Sequence, residues 1–461
     1  MVRHARVLSG VAVVAVMTKP SKCPHGRCSY CPGGENIPQS YVEESPVVVR
    51  ASKVGYDPYV QVQDRLKQFM DVGYYPSKVE LIVMGGTFTA MPQQYQEEFI
   101  KDCFDALTDF PSSTSYRSRS IEEAHLRNEK ANSRCVALTV ETRPDWAKEK
   151  QAEFMLRLGV TRVEIGVQSI YDDVLRRIER GHTVRDTIEA TRVLKDKGYK
   201  LCYHIMPGLP GSDLDRDFEM FKEIFENSSF KPDMLKIYPT LVIKGTKLFE
   251  EWKSGRYYPL EDDAAVDLLA RVYEIMPRWI RVQHVQRDIP IERIEAGVKR
   301  RNIRQLVEEK LERRGIRIKE IRYREVGHAI ARGIKPDFKN ISILREDYEA
   351  SGGTEVFLTI EDEKNDVLMG LLRFRVPSHG NIGIVRELHV YGIQVPIGSF
   401  NEESAQHRGF GRSLMEKMEE IAVSDFDVKK ILVISGVGAR EYFRKLGYHR
   451  EQGIFYMQKE L

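Results

Sequence analysis

The sequence predicts an α/β protein, a partial (βα)6 barrel followed by a smaller α+β domain. From residue 10 to about residue 285, short apolar runs alternate with amphipathic helical patterns. That alternation is what repeated βαβ units and a parallel sheet produce. From about Tyr323 onward, short strands follow one another with few helices between them, which indicates an antiparallel-rich domain. A chain of 461 residues also exceeds what one hydrophobic core usually organises.

Taken in order, residues 11–17 form the longest apolar run and read as a buried strand, 59–72 as an amphipathic helix and 79–84 (VELIVM) as a second buried strand. A helix at 95–107 precedes a strand at 135–140; further strands fall at 162–167, 201–206 and 234–238, with helical patterns such as 184–197 and 215–225 between them. In a barrel built this way, sites gather at the C-terminal strand ends. Residues 111–132 are polar and serine-rich and read as a flexible loop. Residues 291–320 hold ten Lys and Arg against six Asp and Glu, with helical apolar spacing at Ile303, Leu306, Val307 and Leu311. That stretch reads either as a solvated linker helix or as a surface for RNA phosphates. Beyond it, strands are expected at 355–360, 368–375, 384–391 and 430–435, with one helix after Gly411 and another near the end. The expected organisation is a barrel domain over residues 1–288, a basic helical linker over 289–322 and a C-terminal domain over 323–461.

Composition excludes several classes. Hydrophobic residues make up 42% and charged residues 30%, so the chain is globular rather than disordered. The balance of 71 Lys and Arg against 68 Asp and Glu neither demands nor excludes nucleic acid. The run at 11–17 is too short to span a bilayer, which needs about 20 apolar residues. Arg3 and Arg6 precede it, but Lys19–Pro20 follows where a signal peptide would carry small residues. A cytoplasmic location with no membrane partner is expected. Six cysteines in so long a chain do not make a disulfide scaffold. Cys103, Cys135 and Cys202 are scattered and read as buried small hydrophobes.

The other three, Cys23, Cys28 and Cys31, lie within nine residues directly after the first strand. Thiolates at that density suit zinc or an iron–sulfur cluster. Zinc would need a fourth ligand, for which His25 is the candidate. Three thiolates on a four-iron cluster instead leave one iron open, able to take the amino and carboxylate groups of S-adenosylmethionine (SAM). The second strand ends in Met84-Gly85-Gly86-Thr87-Phe88, where glycines allow a ligand to approach the backbone. The segments opening at Glu141, Glu164 and His204 also sit at or just past strand ends, as does Lys236. Cluster and glycine loop together resemble the radical SAM enzymes, with Gly85, Gly86, Thr87 and Glu141 as candidate SAM contacts.

In the C-terminal domain, Gln406-His407-Arg408-Gly409-Phe410-Gly411 opens a helix. A glycine-rich helix start offers free N–H groups and the positive dipole end to a pyrophosphate. A strand, Glu387-Leu388-His389-Val390, precedes it, and Tyr442 lies on the helix after the next strand. This order resembles the GNAT acetyltransferases, whose loop cradles the pyrophosphate of acetyl-CoA. The resemblance makes Glu387, Leu388, His389, Val390, Gln406, Arg408, Gly409, Phe410, Gly411 and Tyr442 candidate acetyl-CoA contacts, with Tyr442 the catalytic candidate that protonates a departing thiolate.

The pairing of these two domains, with KIYPTLVIKGT at 236–246, QHVQRDIP at 283–290, REVG at 324–327 and ISGVGAREYFRKLGY at 434–448, closely resembles the family of the Elongator catalytic subunit over nearly the whole chain. The resemblance implies a TIM-like partial barrel, a [4Fe–4S] cluster on Cys23, Cys28 and Cys31, SAM, acetyl-CoA, an electron donor, and tRNA bound at its anticodon loop. It implies carboxymethylation of carbon 5 of the wobble uridine, position 34. A deoxyadenosyl radical takes a hydrogen from the acetyl methyl group, the carbon radical adds to the base, and hydrolysis releases CoA. The two domains would then share a cleft, with Lys236 a catalytic candidate and Arg134 in the place of a family lysine that senses acetyl-CoA. Two features depart from the family pattern. Cys23 and Cys28 enclose only four residues, and the sequence begins almost at its first strand, so the basic arm that many members carry there is either lacking or cut away, and tRNA contacts are expected on the linker and barrel rim. Partner subunits are possible but not implied. The alternative is an acetyl-CoA-dependent lysine acetyltransferase of proteins such as histones, its cluster structural. A third reading, an RNA-binding scaffold with degenerate sites, sits poorly with intact motifs in both domains.

Overall fold

The computed structural model describes residues 9–34, 36–378, 380–392 and 408–461. Seven parallel strands curl into a half-barrel: β1 (Ala12–Met17), β2 (Lys78–Met84), β3 (Arg134–Thr142), β4 (Arg162–Gln168), β5 (Lys200–Ile205), β6 (Met234–Ile237) and, after the short β7 (Val242–Ile243), β8 (Arg281–Val285). Neighbours in the sheet follow chain order with β7 left out, and each pair is parallel. β7 pairs antiparallel with β9 (Ile294–Ala296) outside this sheet. Burial alternates along β2 and along β1 as far as Val16. Val14, Val16, Val79, Leu81 and Val83 are buried in the core, while Val13, Ala15, Glu80 and Ile82 on the opposite, concave face are only half-buried. The seventh strand, β8, was not expected from the sequence. Its residues RVQHV read as polar because the concave face here carries charge rather than an apolar filling.

The segment expected to be a flexible loop contains a helix, Ile121–Asn128, whose cap Ser120 accepts from the Glu123 N–H. Two glutamates in its first turn favour the positive end of the helix dipole. The basic stretch forms the helix Ile303–Arg313, which buries Ile303, Val307 and Leu311. Much of its charge is spent on the neighbouring helix Asp262–Ile275: Arg300 meets Asp263 at 2.7 Å, and Lys310 and Arg314 meet Asp267 and Glu274.

The C-terminal sheet runs β10 (Ser342–Ala350), β11 (Gly353–Asp362), β12 (Val367–Val376), β13 (Ile382–Val390), β14 (Lys430–Val433) and β15 (Met457–Glu460) in that order. All pairs are antiparallel except β13 with β14. β13 stays paired with β12 out to Val390, but β14 follows it only to Val385, so the sheet splays into a wedge beyond that residue. This domain docks on the N-terminal ends of the barrel strands. Arg386 donates to the Tyr199 carbonyl just before β5 at 2.8 Å, and His389 Nε2 donates to the Ser9 carbonyl ahead of β1, also at 2.8 Å. Among the described residues no helix is long and apolar enough to cross a membrane.

Candidate active site

At the opposite, C-terminal ends of the barrel strands, the cysteine loop closes over an open cleft of about 870 Å³ lined by Cys23, Met84, Gly86, Glu141, Gln168 and Arg180 among others. Cys28 and Cys31 are buried and Cys23 is half-buried. The Cys28 sulfur takes N–H donors from His25 at 3.2 Å and Arg180 at 3.6 Å, and the Cys31 sulfur takes the Ser40 N–H at 3.3 Å. The His25 assignment follows from chemistry. Arg143, which can only donate, contacts His25 Nδ1, so the ring proton is on Nε2, facing the sulfur. Burial, then Arg143 and Arg180, lower the His25 pKa to about 4, so the ring is neutral. Burial pushes the Cys23 thiol up against a hydrogen bond from Thr87, with Cys31 and Cys28 adding to the rise.

Donors aimed at thiolate sulfurs are the surroundings an iron–sulfur cluster needs. The three sulfurs do not gather within 4.8 Å of one another, as ligands of a single ion would. With His25 Nε2 protonated and donating to Cys28, and Nδ1 taken by Arg143, the ring has no free lone pair for zinc, so zinc does not fit and a [4Fe–4S] cluster does. Beside the loop, Gln168 Oε1 and Arg180 Nε are buried without a protein partner, as atoms awaiting a ligand would be. Gly85 has φ +138°, and a side chain there would strike Thr18 Oγ1 at 2.0 Å, so only glycine lets the loop fold back against β1. Gly86 and Thr87 line the cleft with Glu141. Glu141 is held by the Tyr41 hydroxyl, which donates at 3.1 Å, and by Lys236 at 3.6 Å.

Lys236 itself is buried below the cleft, ion-paired with Glu164 as well, and does not line the opening. Its place is that of a group ordering Glu141 rather than one touching substrate. Glu164 also takes His204 Nε2 at 2.9 Å and Arg162 at 3.3 Å. Glu164, Cys202 and His204 cluster tightly, but the Lys236 ammonium already supplies the positive charge there.

In the C-terminal domain, Tyr442 lies over the start of the helix Phe410–Phe426; a side chain at Gly411 would come within 2.6 Å of its hydroxyl. Burial raises that hydroxyl to about 12, so it is a proton donor at neutral pH. Gly409 caps the helix at φ +86°, Phe410 is buried, and the Arg408 guanidinium stacks 4.4 Å over Phe338. Leu388 packs beside Gly411, and Val390 pairs with Gly370. Gln406 lies outside the described residues. Two expected contacts point elsewhere: Glu387 is committed to Arg373 at 2.8 Å and Lys200 at 3.6 Å, and His389 to Ser9 and a stack on Tyr391. Only their main chains remain for a ligand. Arg134 sits at the seam, donating to the Ala131 carbonyl and packed against Gly438.

The Radical SAM superfamily model matches residues 18–224, its Radical SAM C-terminal domain residues 232–313, and the acetyltransferase (GNAT) family residues 328–448. The chain is 51% identical to the tRNA uridine(34) acetyltransferase of Methanocaldococcus jannaschii, over 97% of this chain and 84% of that protein. It is 46% identical to human Elongator complex protein 3, over 99% of this chain and 85% of the relative. The chain belongs to the Elongator complex protein 3 family. The solved Methanocaldococcus infernus Elp3 with its N-terminus deleted superposes with a TM-score of 0.86, at 46% identity over 98% of this chain and all of that one. The family's cofactors, a [4Fe–4S] cluster and SAM in the barrel and acetyl-CoA in the GNAT domain, agree with the thiolate loop and the glycine-rich helix start.

Membership does not bring the two sites into one cleft, as the sequence reading expected. The GNAT wedge opens at the N-terminal strand ends and the cysteine cleft at the C-terminal ends, so the length of β2, roughly 20 Å, separates them. The reading placed Arg143 in the polar strand-end segment opening at Glu141, but it missed Arg180 and Tyr41, which dress the cluster loop and Glu141. The available signal was Gly181, between Arg180 and His182: a side chain there would meet His25 at 2.6 Å, so this loop packs directly on the cysteine loop.

Proposed function

We propose that this chain carboxymethylates carbon 5 of uridine 34 in the anticodon loop of tRNA, with acetyl-CoA as the carbon source. The observation that carries the reading is that one chain builds both a three-thiolate cleft and a GNAT wedge on a single half-barrel. The names of relatives matched over most of their length supply the substrate. When bound, the cluster and SAM supply a 5′-deoxyadenosyl radical. Cys23, Cys28 and Cys31 hold the cluster, while Gly85, Gly86 and Thr87 admit the methionine end of SAM. Glu141, fixed by Tyr41 and Lys236, presents a carboxylate to the nucleoside hydroxyls. Gly409 to Gly411 and the main chain of β13 hold CoA, and Tyr442 donates a proton to the departing sulfur. Net, the acetyl methyl carbon gives one hydrogen to the deoxyadenosyl group and bonds to carbon 5 of the base; the base then loses its carbon-5 hydrogen as a proton and returns the one electron that SAM cleavage consumed, and water releases CoA to leave the carboxylate.

Since the length of the barrel strands separates wedge and cleft, the acetyl group has to travel. The half-buried concave faces of β1 and β2, with Val13, Ala15 and Ile82, lead from one end to the other. Exposed Arg301, which lines a hollow sharing Arg287 and Asp288 with the cleft, is the linker cation best placed for RNA phosphate, and a cytoplasmic location accords with a tRNA substrate. The test is an anaerobic reaction with tRNA, SAM, a one-electron reductant and acetyl-CoA deuterated on its methyl group. Deuterated 5-carboxymethyluridine by nucleoside mass spectrometry, with deuterium in 5′-deoxyadenosine, is the expected result. Acetylated lysine peptides, with tRNA neither modified nor stimulating CoA release, would instead support a protein acetyltransferase.

A further inference from the structure

The helix that carries the tyrosine assigned to the acetyl-CoA chemistry is packed on its own domain through Phe443, but its charged face is gripped by the barrel. The short helix Arg440–Arg444 carries Tyr442 at its middle. Residues four apart share one face of a helix, and the residue midway between them points to the other side. On the shared face, Arg440 Nη1 meets Glu129 Oε1 at 2.9 Å and Arg444 Nη2 meets Glu129 Oε2 at 2.7 Å. Glu129 belongs to the barrel domain, at the C-terminal end of the helix Ile121–Asn128, and is 5% exposed. One carboxylate therefore grips both ends of the tyrosine helix, while Tyr442 projects the opposite way, over Gly411.

The loop entering that helix is equally fixed. Side chains at Gly436 and Gly438 would strike the Val136 carbonyl at 2.0 Å and the Arg134 side chain at 2.4 Å, so the loop lies flush on β3. Arg440 is itself 2% exposed, and burial lowers its pKa to about 10, against the pull of Glu129. The charges around Glu129 are Arg440, Arg444 and, more distantly, Arg450; Glu441 also bonds Arg444. From these observations we infer that Glu129 is a positioning residue for acetyl-CoA turnover. Through Arg440 and Arg444 it sets where the Tyr442 hydroxyl sits. The inference rests on the acetyl-CoA reading given above.

β3 gives the clamp a second consequence. Its first residues carry the floor of the tyrosine helix, and its far end supplies Glu141 and Thr142 to the cysteine cleft. The element that seats the tyrosine is thus the one that reaches SAM.

The experiment measures tRNA-stimulated CoA release from acetyl-CoA, with SAM cleavage to 5′-deoxyadenosine assayed on the same preparations. Glu129→Gln keeps the shape and removes the charge. It is expected to lower kcat for CoA release by about 10–100-fold, the cost of a misplaced group, with KM for acetyl-CoA within about twofold and SAM cleavage unchanged. Glu129→Asp should recover part of the loss. In the Tyr442→Phe background Glu129→Gln should add little, since both act on one proton donor. Wild-type kcat in Glu129→Gln, or losses that multiply with those of Tyr442→Phe, would overturn the inference. A parallel collapse of SAM cleavage would mark general unfolding of Glu129→Gln, and the decision then passes to Arg444→Met, at a more exposed position, where wild-type kcat overturns the inference and a selective loss of kcat supports it. If Tyr442→Phe alone leaves CoA release intact, the reading of Tyr442 fails rather than the clamp.

Discussion

At Cys28 a neutral histidine and a buried arginine both aim N–H groups at one sulfur. Hydrogen bonds to cluster sulfur favour the reduced, more negative state and so raise the reduction potential. Replacing His25 with Ala removes one donor and should make the midpoint of the reconstituted cluster more negative, on the order of 60 mV. An anaerobic redox titration gives the value, and a midpoint equal to or above wild type would refute the assignment of the His25 proton to Nε2. Gly411 makes a comparably local argument. A single methyl group there would press within 2.6 Å of the Tyr442 hydroxyl, so Gly411→Ala should lower kcat for CoA release toward that of Tyr442→Phe. Full retention of kcat would show that the hydroxyl does not act from this position.

Whole elements separate what their sequence states from what only packing decides. The apolar runs that became β1 to β6 were legible because helices cover one face of each strand. β8 was not, because Arg281 and Gln283 face an interior of ion pairs, and RVQHV has no apolar face to announce it. In the candidate site, the three cysteines, the glycine loops and Tyr442 were legible as local motifs. Arg180 and Glu129 were not, since each acquires its meaning from a partner more than 30 residues away: Cys28 and Arg440. The basic segment shows the same limit. Counting its charges cannot tell that Arg300 is paired with Asp262 and Asp263 while Arg301 lines a hollow shared with Arg287 and Asp288 next to the cleft. Under the tRNA reading, Arg301→Ala should reduce the salt slope of tRNA binding by about 0.9, the value for one lost phosphate contact. Arg300→Ala should leave the slope as it is. Equal slopes for the two variants in a filter-binding titration would return this segment to a plain linker.

Across the molecule, barrel and GNAT domain are joined through buried charge. Arg386 on β13 reaches Asp233 at 2.9 Å and Glu355 at 2.8 Å, and Lys195 lies 3.7 Å from the first carboxylate and 3.4 Å from the second. Arg375 adds a bridge from Glu355 to Asp196 of the barrel. Burial opposes ionisation of Asp233, but Arg386, then Lys195 and Arg373, hold it well below the usual carboxylate range. Asp233, Lys195 and Asp196 come from the barrel, and Glu355, Arg373, Arg375 and Arg386 from the GNAT sheet, so this set leaves the barrel side acidic and the GNAT side basic, and neither balances its charges without the other. An apolar seam would let each domain persist alone with a wetter surface; a charged seam sealed from water leaves each half with unpaired ions if the other departs only partway. The two domains should therefore unfold together in a single transition. Arg386→Met strands Asp233 and Glu355 with one fewer cation, and breaking such a buried pair from one side costs about 3–5 kcal/mol. Urea denaturation followed by both far-ultraviolet circular dichroism and tryptophan fluorescence should show the variant destabilised by that amount, with the two signals no longer coincident. A loss below about 1 kcal/mol, with coincident curves, would mean that the apolar contacts around the seam, and not its charges, bind the two chemistries into one body.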